Sequence, residues 1–126
     1  MPKARNIKLF LEDILKSINN INEYTQGMGY EKFKSDRKTV DAVVRNLEII
    51  GEATKNIPDK IKKKYPEVDW KGAAGMRDKL SHEYFGVDEK ILWKTVKGDI
   101  PAFEIQIKNI REKLQLADKN DEADQA

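Results

Sequence analysis

The stretch IKLFLEDILKSINNI, residues 7–21, decides the class of fold. Its apolar side chains Ile7, Phe10, Leu11, Ile14, Leu15, Ile18 and Ile21 return at steps of three and four, the spacing that gathers them on one face of a helix. This stripe predicts an amphipathic helix running roughly from Lys3 to Thr25, broken by Gly27 and Gly29.

Outward from that helix the same period recurs. Asp36 can cap a second long helix in which Val40, Val43, Val44, Leu47 and Ile50 form one stripe, ending before Pro58. Gly51 continues this stripe without a side chain and so permits close approach of a neighbour. The two long helices are expected to pack antiparallel. Between them, Tyr30 to Ser35 has room for a turn or two, with Tyr30 and Phe33 closing one end of the core.

Pro58 can open a short helix, DKIKKKY, at its first turn. Asp69 caps a predicted third main helix that ends at Gly86. Within it, Gly72 and Gly75 point to close helix packing. Asp88 caps a further segment with Ile91, Leu92 and Val96 inside, and Gly98 to Pro101 marks a kink or restart. Phe103, Ile107, Ile110 and Leu114 make the last stripe.

No strand-like alternation and no repeat appears. The pattern predicts an all-α fold, an antiparallel up-and-down helical bundle, with a domain over residues 1–117 and a disordered acidic tail over 118–126. The aromatics Trp70, Tyr84, Phe85 and Trp93 offer more area than a monomer needs to bury, which predicts a homodimer.

Composition narrows the chemistry. There is no cysteine and a single histidine, so disulfides, thiolate-metal sites and an all-histidine metal site within one chain are excluded. Catalysis, if present, is expected to be metal-independent and to need no cofactor. The start MPKARNIKLFLEDI lacks the long apolar core of a targeting signal, and no stretch approaches a membrane span, which predicts a cytoplasmic protein. Net charge is only +2 although 37% of residues are charged, so total charge argues weakly for a nucleic-acid partner.

The only histidine lies in GMRDKLSHEYFGVD, residues 75–88. Arg77, His82 and Tyr84 put a permanent cation, a group titrating near neutrality and a phenol within about two helical turns. At about 100° per residue, Tyr84 falls roughly 20° from Arg77, whereas His82 lies about 140° away. Either the helix loosens near its end or a second subunit presents the complementary groups across a two-fold axis. Asp78, four residues before His82, is within reach of the imidazole and favours its cationic form.

Two other clusters each allow a functional and a plain reading. Asp41, Arg45, Glu48 and Glu52 share a polar stripe with Asn46 beside it; they either line a cleft wall opposite the motif, supporting or binding RNA, or form an ion-pair ladder on a solvated face. Lys60, Lys62, Lys63 and Lys64 are either a polyanion track or a solvated helix face.

The R-x-x-x-x-H-x-Y pattern in MRDKLSHEY, followed by FGVD and preceded by RNLEIIGEATKNIP, resembles the HepT family of HEPN-domain toxins. The similarity covers roughly Asn6 to Leu114 and includes the YP-x-x-x-W step from Tyr65 to Trp70. It implies a HEPN-type homodimer acting as a metal-independent endoribonuclease toxin, with Arg77 and His82 as the catalytic pair. It also implies an antitoxin partner, an MntA-like minimal nucleotidyltransferase that transfers AMP to Tyr84. The family often has asparagine after the motif arginine; here it is Asp78. The alternative is a non-catalytic helical subunit that binds nucleotide or RNA for a nucleotidyltransferase.

Overall fold

The structure, a computed structural model, describes the backbone of residues 4–76 and 88–125 and the side chains of residues 6–76 and 88–117. Among these residues every regular element is helical. In chain order they are α1 (Ala4–Thr25), α2 (Tyr30–Ser35), α3 (Arg37–Lys55), α4 (Asp59–Lys64), α5 (Trp70–Ala74), α6 (Glu89–Lys94), a π-helical turn (Thr95–Asp99) and α7 (Ile100–Gln125).

The core is built by α1 and α3. The stripe residues Leu11, Ile14, Ile18 and Ile21 of α1 and Val43, Leu47 and Ile50 of α3 are fully buried. Asn20 meets Asn46, while Phe10 and Asn6 share a groove with Asn56. Contacts therefore run to higher numbers on α3 as they run to lower numbers on α1, and the pair is antiparallel as expected. α1 stops because Gly27 takes φ +75, a left-handed conformation that costs glycine little. α3 starts at Asp36, whose carboxylate accepts the Thr39 N–H at 3.2 Å.

The remaining elements close around this pair. α2 packs on α3 and α6, placing fully buried Phe33 against Trp93 with ring centroids 4.9 Å apart. Tyr30 stays half-buried, so the end of the core is closed by Phe33 and Trp93. α5 packs on α3. α7 lies along α1 through Phe103, Ile107 and Ile110, and Arg111 reaches Glu12 at 3.2 Å. The architecture of the described residues is the expected all-α bundle. No helix among the described residues is long and apolar enough to cross a membrane.

Three expectations are corrected by the structure. The predicted single helix from Asp69 to Gly86 is interrupted: α5 ends at Ala74, with Gly75 as its C-cap, before Met76 is helical again. Two glycines in four residues weaken a helix by about 1 kcal/mol each, enough to let it stop. Gly72 serves the cap and not helix packing, since a Cβ there would fall 2.7 Å from Cγ of Asp69. Ile91, expected inside, is 38% exposed, because α6 turns Leu92 inward instead.

The backbone of α7 is helical through Gln125. The residues after Leu116 include no glycine or proline, so the helix propagates from α7 without needing an apolar face. The restart at Gly98 to Pro101 takes a specific form. Pro101 has no N–H to offer the preceding turn, and the backbone widens into the π-helical turn. Lys94 and Ile100, on either side, both keep right-handed helical dihedrals, so α6 and α7 are joined by a continuous helical backbone.

Candidate active site

Both ends of the motif are anchored by described residues, while Arg77, Asp78, His82 and Tyr84 themselves lie outside them. On the amino-terminal side the anchor begins at Tyr65. Its carbonyl accepts the Trp70 indole N–H at 2.9 Å, so the YP-x-x-x-W step is a hydrogen-bonded turn that delivers Trp70 to the start of α5. Asp69 accepts the Gly72 N–H at 2.9 Å and caps α5. Trp70 packs edge-on to Phe103, with centroids 6.4 Å apart, and Met76 is buried at 7% exposure. The residue immediately before Arg77 is thus fixed in the core.

On the other side the anchor is Asp88. One carboxylate oxygen accepts the N–H groups of Lys90 at 2.9 Å and Ile91 at 3.2 Å, so FGVD ends in a capping residue. The motif is held between the buried Met76 and the capped start of α6. A cavity of about 270 Å³ adjoins Met76, between α5 and the π-helical turn, with Asp69, Thr95, Asp99 and Gln106 contributing polar groups.

The polar stripe of α3 divides into different roles. Arg45, Glu48 and Glu52 line a groove of about 470 Å³ together with Phe10, Asp13 and Asn56. Arg45 pairs with Glu48 at 3.7 Å and leaves 71% of its own side chain exposed. Asp41 pairs instead with Arg37 at 3.8 Å. Asn46 faces away from this groove. It is 6% exposed, donates to the Ala42 carbonyl at 2.8 Å and accepts from Asn20 at 3.1 Å, so its amide is committed to joining α1 to α3.

Of the four aromatics expected to need a partner subunit, the two described ones pack within the chain. Trp70 is buried, and Trp93 is half-buried on Phe33 with the Lys97 ammonium 4.7 Å from its ring centroid. Tyr84 and Phe85 lie outside the described residues. Large apolar side chains that are exposed, such as Leu9 and Ile105, stand on different helices.

Asp36, the cap of α3, is more acidic than an ordinary carboxyl. The Thr39 backbone N–H that it caps holds its carboxyl below the usual range, with Lys32 and Lys38 adding a smaller effect. Among the described residues no group of three or more histidine, aspartate or glutamate side chains is placed to hold a metal ion.

Sequence reasoning missed the Asn20–Asn46 bond and the meeting of Lys64 with Lys113 at Tyr65. These pairs are 26 and 49 positions apart, and no local period links them.

Comparison with known proteins places these residues in a family. The family described as ribonuclease HepT-like matches residues 14–110, which contain Arg77, His82 and Tyr84. "Probable ribonuclease HepT" of Thermococcus cleftensis is 51% identical over 107 residues, covering 85% of this chain and 97% of that protein. "Putative RNase MJ0125" of Methanocaldococcus jannaschii is 50% identical over 117 residues, covering 90% of this chain and all of that protein. "Putative RNase MJ1216" of the same organism is 47% identical over 120 residues, covering 95% and 98%. No solved structure gives a significant match. The chain belongs to the HepT-like ribonuclease family.

Proposed function

We propose that the protein is a cytoplasmic, metal-independent endoribonuclease, the toxin of a toxin–antitoxin pair, working as a homodimer. The observation that carries this reading is the ribonuclease family match, which spans the Arg77–His82–Tyr84 motif. Further support comes from the way the chain anchors that motif, with Met76 buried before it and the Asp88 cap after it.

The chemistry follows from the side chains. An imidazole takes the proton of a ribose 2′-hydroxyl, whose oxygen forms a new bond to phosphorus. The bond from phosphorus to the 5′-oxygen breaks, and that oxygen takes a proton. The products are a cyclic 2′,3′-phosphate and a 5′-hydroxyl end. One histidine cannot be base and acid in the same step; two copies of His82 across a two-fold axis can. Proton transfer of this kind contributes roughly 10² to 10⁴-fold. Arg77 stabilises the charge on the phosphoryl oxygens, and Asp78 orients His82.

Regulation falls to Tyr84. An MntA-like nucleotidyltransferase would attach AMP from ATP to its hydroxyl, releasing pyrophosphate. The adenylyl phosphate adds bulk and negative charge where an RNA phosphate would bind. Arg45 and Glu48, in the groove of α3, are the remaining candidates for substrate support; Asn46 is a structural residue in this reading.

Cleavage of an RNA panel in EDTA, abolished in Arg77→Ala, is the expected result. A folded dimer that leaves the panel intact overturns the enzyme reading. Co-expression with the nucleotidyltransferase should raise the intact mass in steps of one AMP, and Tyr84→Phe should remove the increase. An unchanged mass with an active partner overturns the regulatory part.

A further inference from the structure

The densest basic run of this chain lies at α4 and the residues just before it. Residues 55–64 hold five lysines and one aspartate, a net charge of +4 in a chain whose total is +2, so the remaining residues together are net negative. Lys60, Lys63 and Lys64 are exposed on α4, and Lys62 is half-buried. Among the described residues none of these, nor Lys113, is paired with a carboxylate, whereas Arg37, Arg45, Lys108 and Arg111 each are.

Folding adds a cation that the run itself lacks. Lys113 comes from α7, 49 positions after Lys64, and both ammonium groups sit over the ring of Tyr65, at 5.3 and 5.9 Å from its centroid. The two cations are therefore no more than about 11 Å apart. Tyr65 is 4% exposed and its carbonyl is bonded to Trp70, so the ring is a fixed platform. An anion that joins two unpaired cations at such a spacing gains attraction from both. A ring that attracts both cations holds them in place until one joins.

We infer that the α4 lysines together with Lys113 form a binding track for the phosphodiester backbone of single-stranded RNA. A polyanion with regularly spaced charges suits unpaired ammonium groups, which release its counter-ions on binding. α4 exposes no large apolar side chain, so the surface lacks what insertion into a membrane or an amphipathic partner would use. From the Tyr65 platform the chain runs through the Trp70 turn and α5 to Met76, the residue before the motif arginine in sequence. The ligand class rests on the ribonuclease reading; the track is a separate site with its own test.

The test measures binding of a fluorescently labelled oligouridine to the full-length chain across a salt series in EDTA, in a His82→Ala background. The triple change Lys63→Gln, Lys64→Gln and Lys113→Gln should lower the slope of log affinity against log salt by about 2, at roughly 0.7 per lost phosphate contact. Lys60→Gln with Lys63→Gln touches no ring, so its expected loss of about 1 cannot come from repacking of Tyr65. Lys32→Gln with Lys38→Gln, on α2 and α3, should change nothing. Unchanged slopes in both patch variants overturn the track. So does displacement of the oligouridine by poly-glutamate as effective as by unlabelled RNA, which would mark an acidic-protein surface. If the wild-type chain cleaves no RNA while the patch variants lose binding, the activity falls and the track stands. If the same patch changes leave binding unchanged in the His82→Ala background and leave cleavage unchanged in a chain that keeps His82, the track falls and the activity stands.

Discussion

The α1–α3 pair and the run from Pro58 to Pro101 hold their shapes by different means. The long pair is a continuous apolar seam in which Leu11, Ile14, Ile18, Val43, Leu47 and Ile50 are each fully buried. In the second region α4 and α5 are elements of six and five residues set by caps and glycines, and α6 begins at a cap and runs through the π-helical turn into α7. Helices that short do not persist alone, so their positions are fixed at their ends. The motif belongs to the second region. The seam supplies stability, and the capped run supplies placement.

That contrast makes a graded set of expectations. Leu47→Ala in the seam should cost roughly 2–5 kcal/mol, seen as a lowered urea midpoint with an unchanged slope. A cost below about 1 kcal/mol would mean that the seam is not where the stability lies. Asn46→Ala strips the Asn20 amide of its acceptor and should cost about 1–3 kcal/mol, while cleavage per folded molecule stays at the wild-type rate. Lost cleavage without lost stability would move Asn46 into the RNA site.

In the capped run the expected stability effects are smaller. Asp88→Ala removes the acceptor for the Lys90 and Ile91 N–H groups and should cost about 1 kcal/mol, with Asp88→Asn retaining most of it. Cleavage should fall further than stability does, because this cap sets the end of the motif. Equal losses would show that the cap only stabilises the fold.

The smallest effect is a pH dependence at α3. Asp36 is held more acidic by the Thr39 N–H, so its carboxylate stabilises the fold above the unfolded carboxyl value and loses that contribution as pH falls through the lower folded value. Acid unfolding followed by circular dichroism should, relative to each protein's own neutral stability, start at a lower pH in Asp36→Ala than in wild type, because the variant has no carboxylate contribution to lose. Coincident curves would remove the cap from the acid response.

The two regions also differ in how far they could be read from residues alone. The seam was legible because a helical period repeats over many residues, and α1 and α3 occupy nearly the predicted spans. The caps at Asp36, Asp69 and Asp88 were legible too, since a short acid ahead of a helical run has few other uses. What local pattern could not give was the break at Gly75, which depends on cap geometry, and the phase of α6, which turns Leu92 inward and Ile91 out. The polar stripe of α3 was visible as a stripe. Only packing against α1 separates the groove residues Arg45, Glu48 and Glu52 from the buried Asn46.

The central claim is that the motif between Met76 and Asp88 cleaves RNA by proton transfer through His82. Its most direct test is cleavage of a mixed RNA panel in EDTA by wild type and His82→Ala, matched for thermal midpoint. The variant should lose roughly 10² to 10⁴-fold in rate while unfolding at the wild-type temperature. Equal rates for the two proteins would contradict the claim.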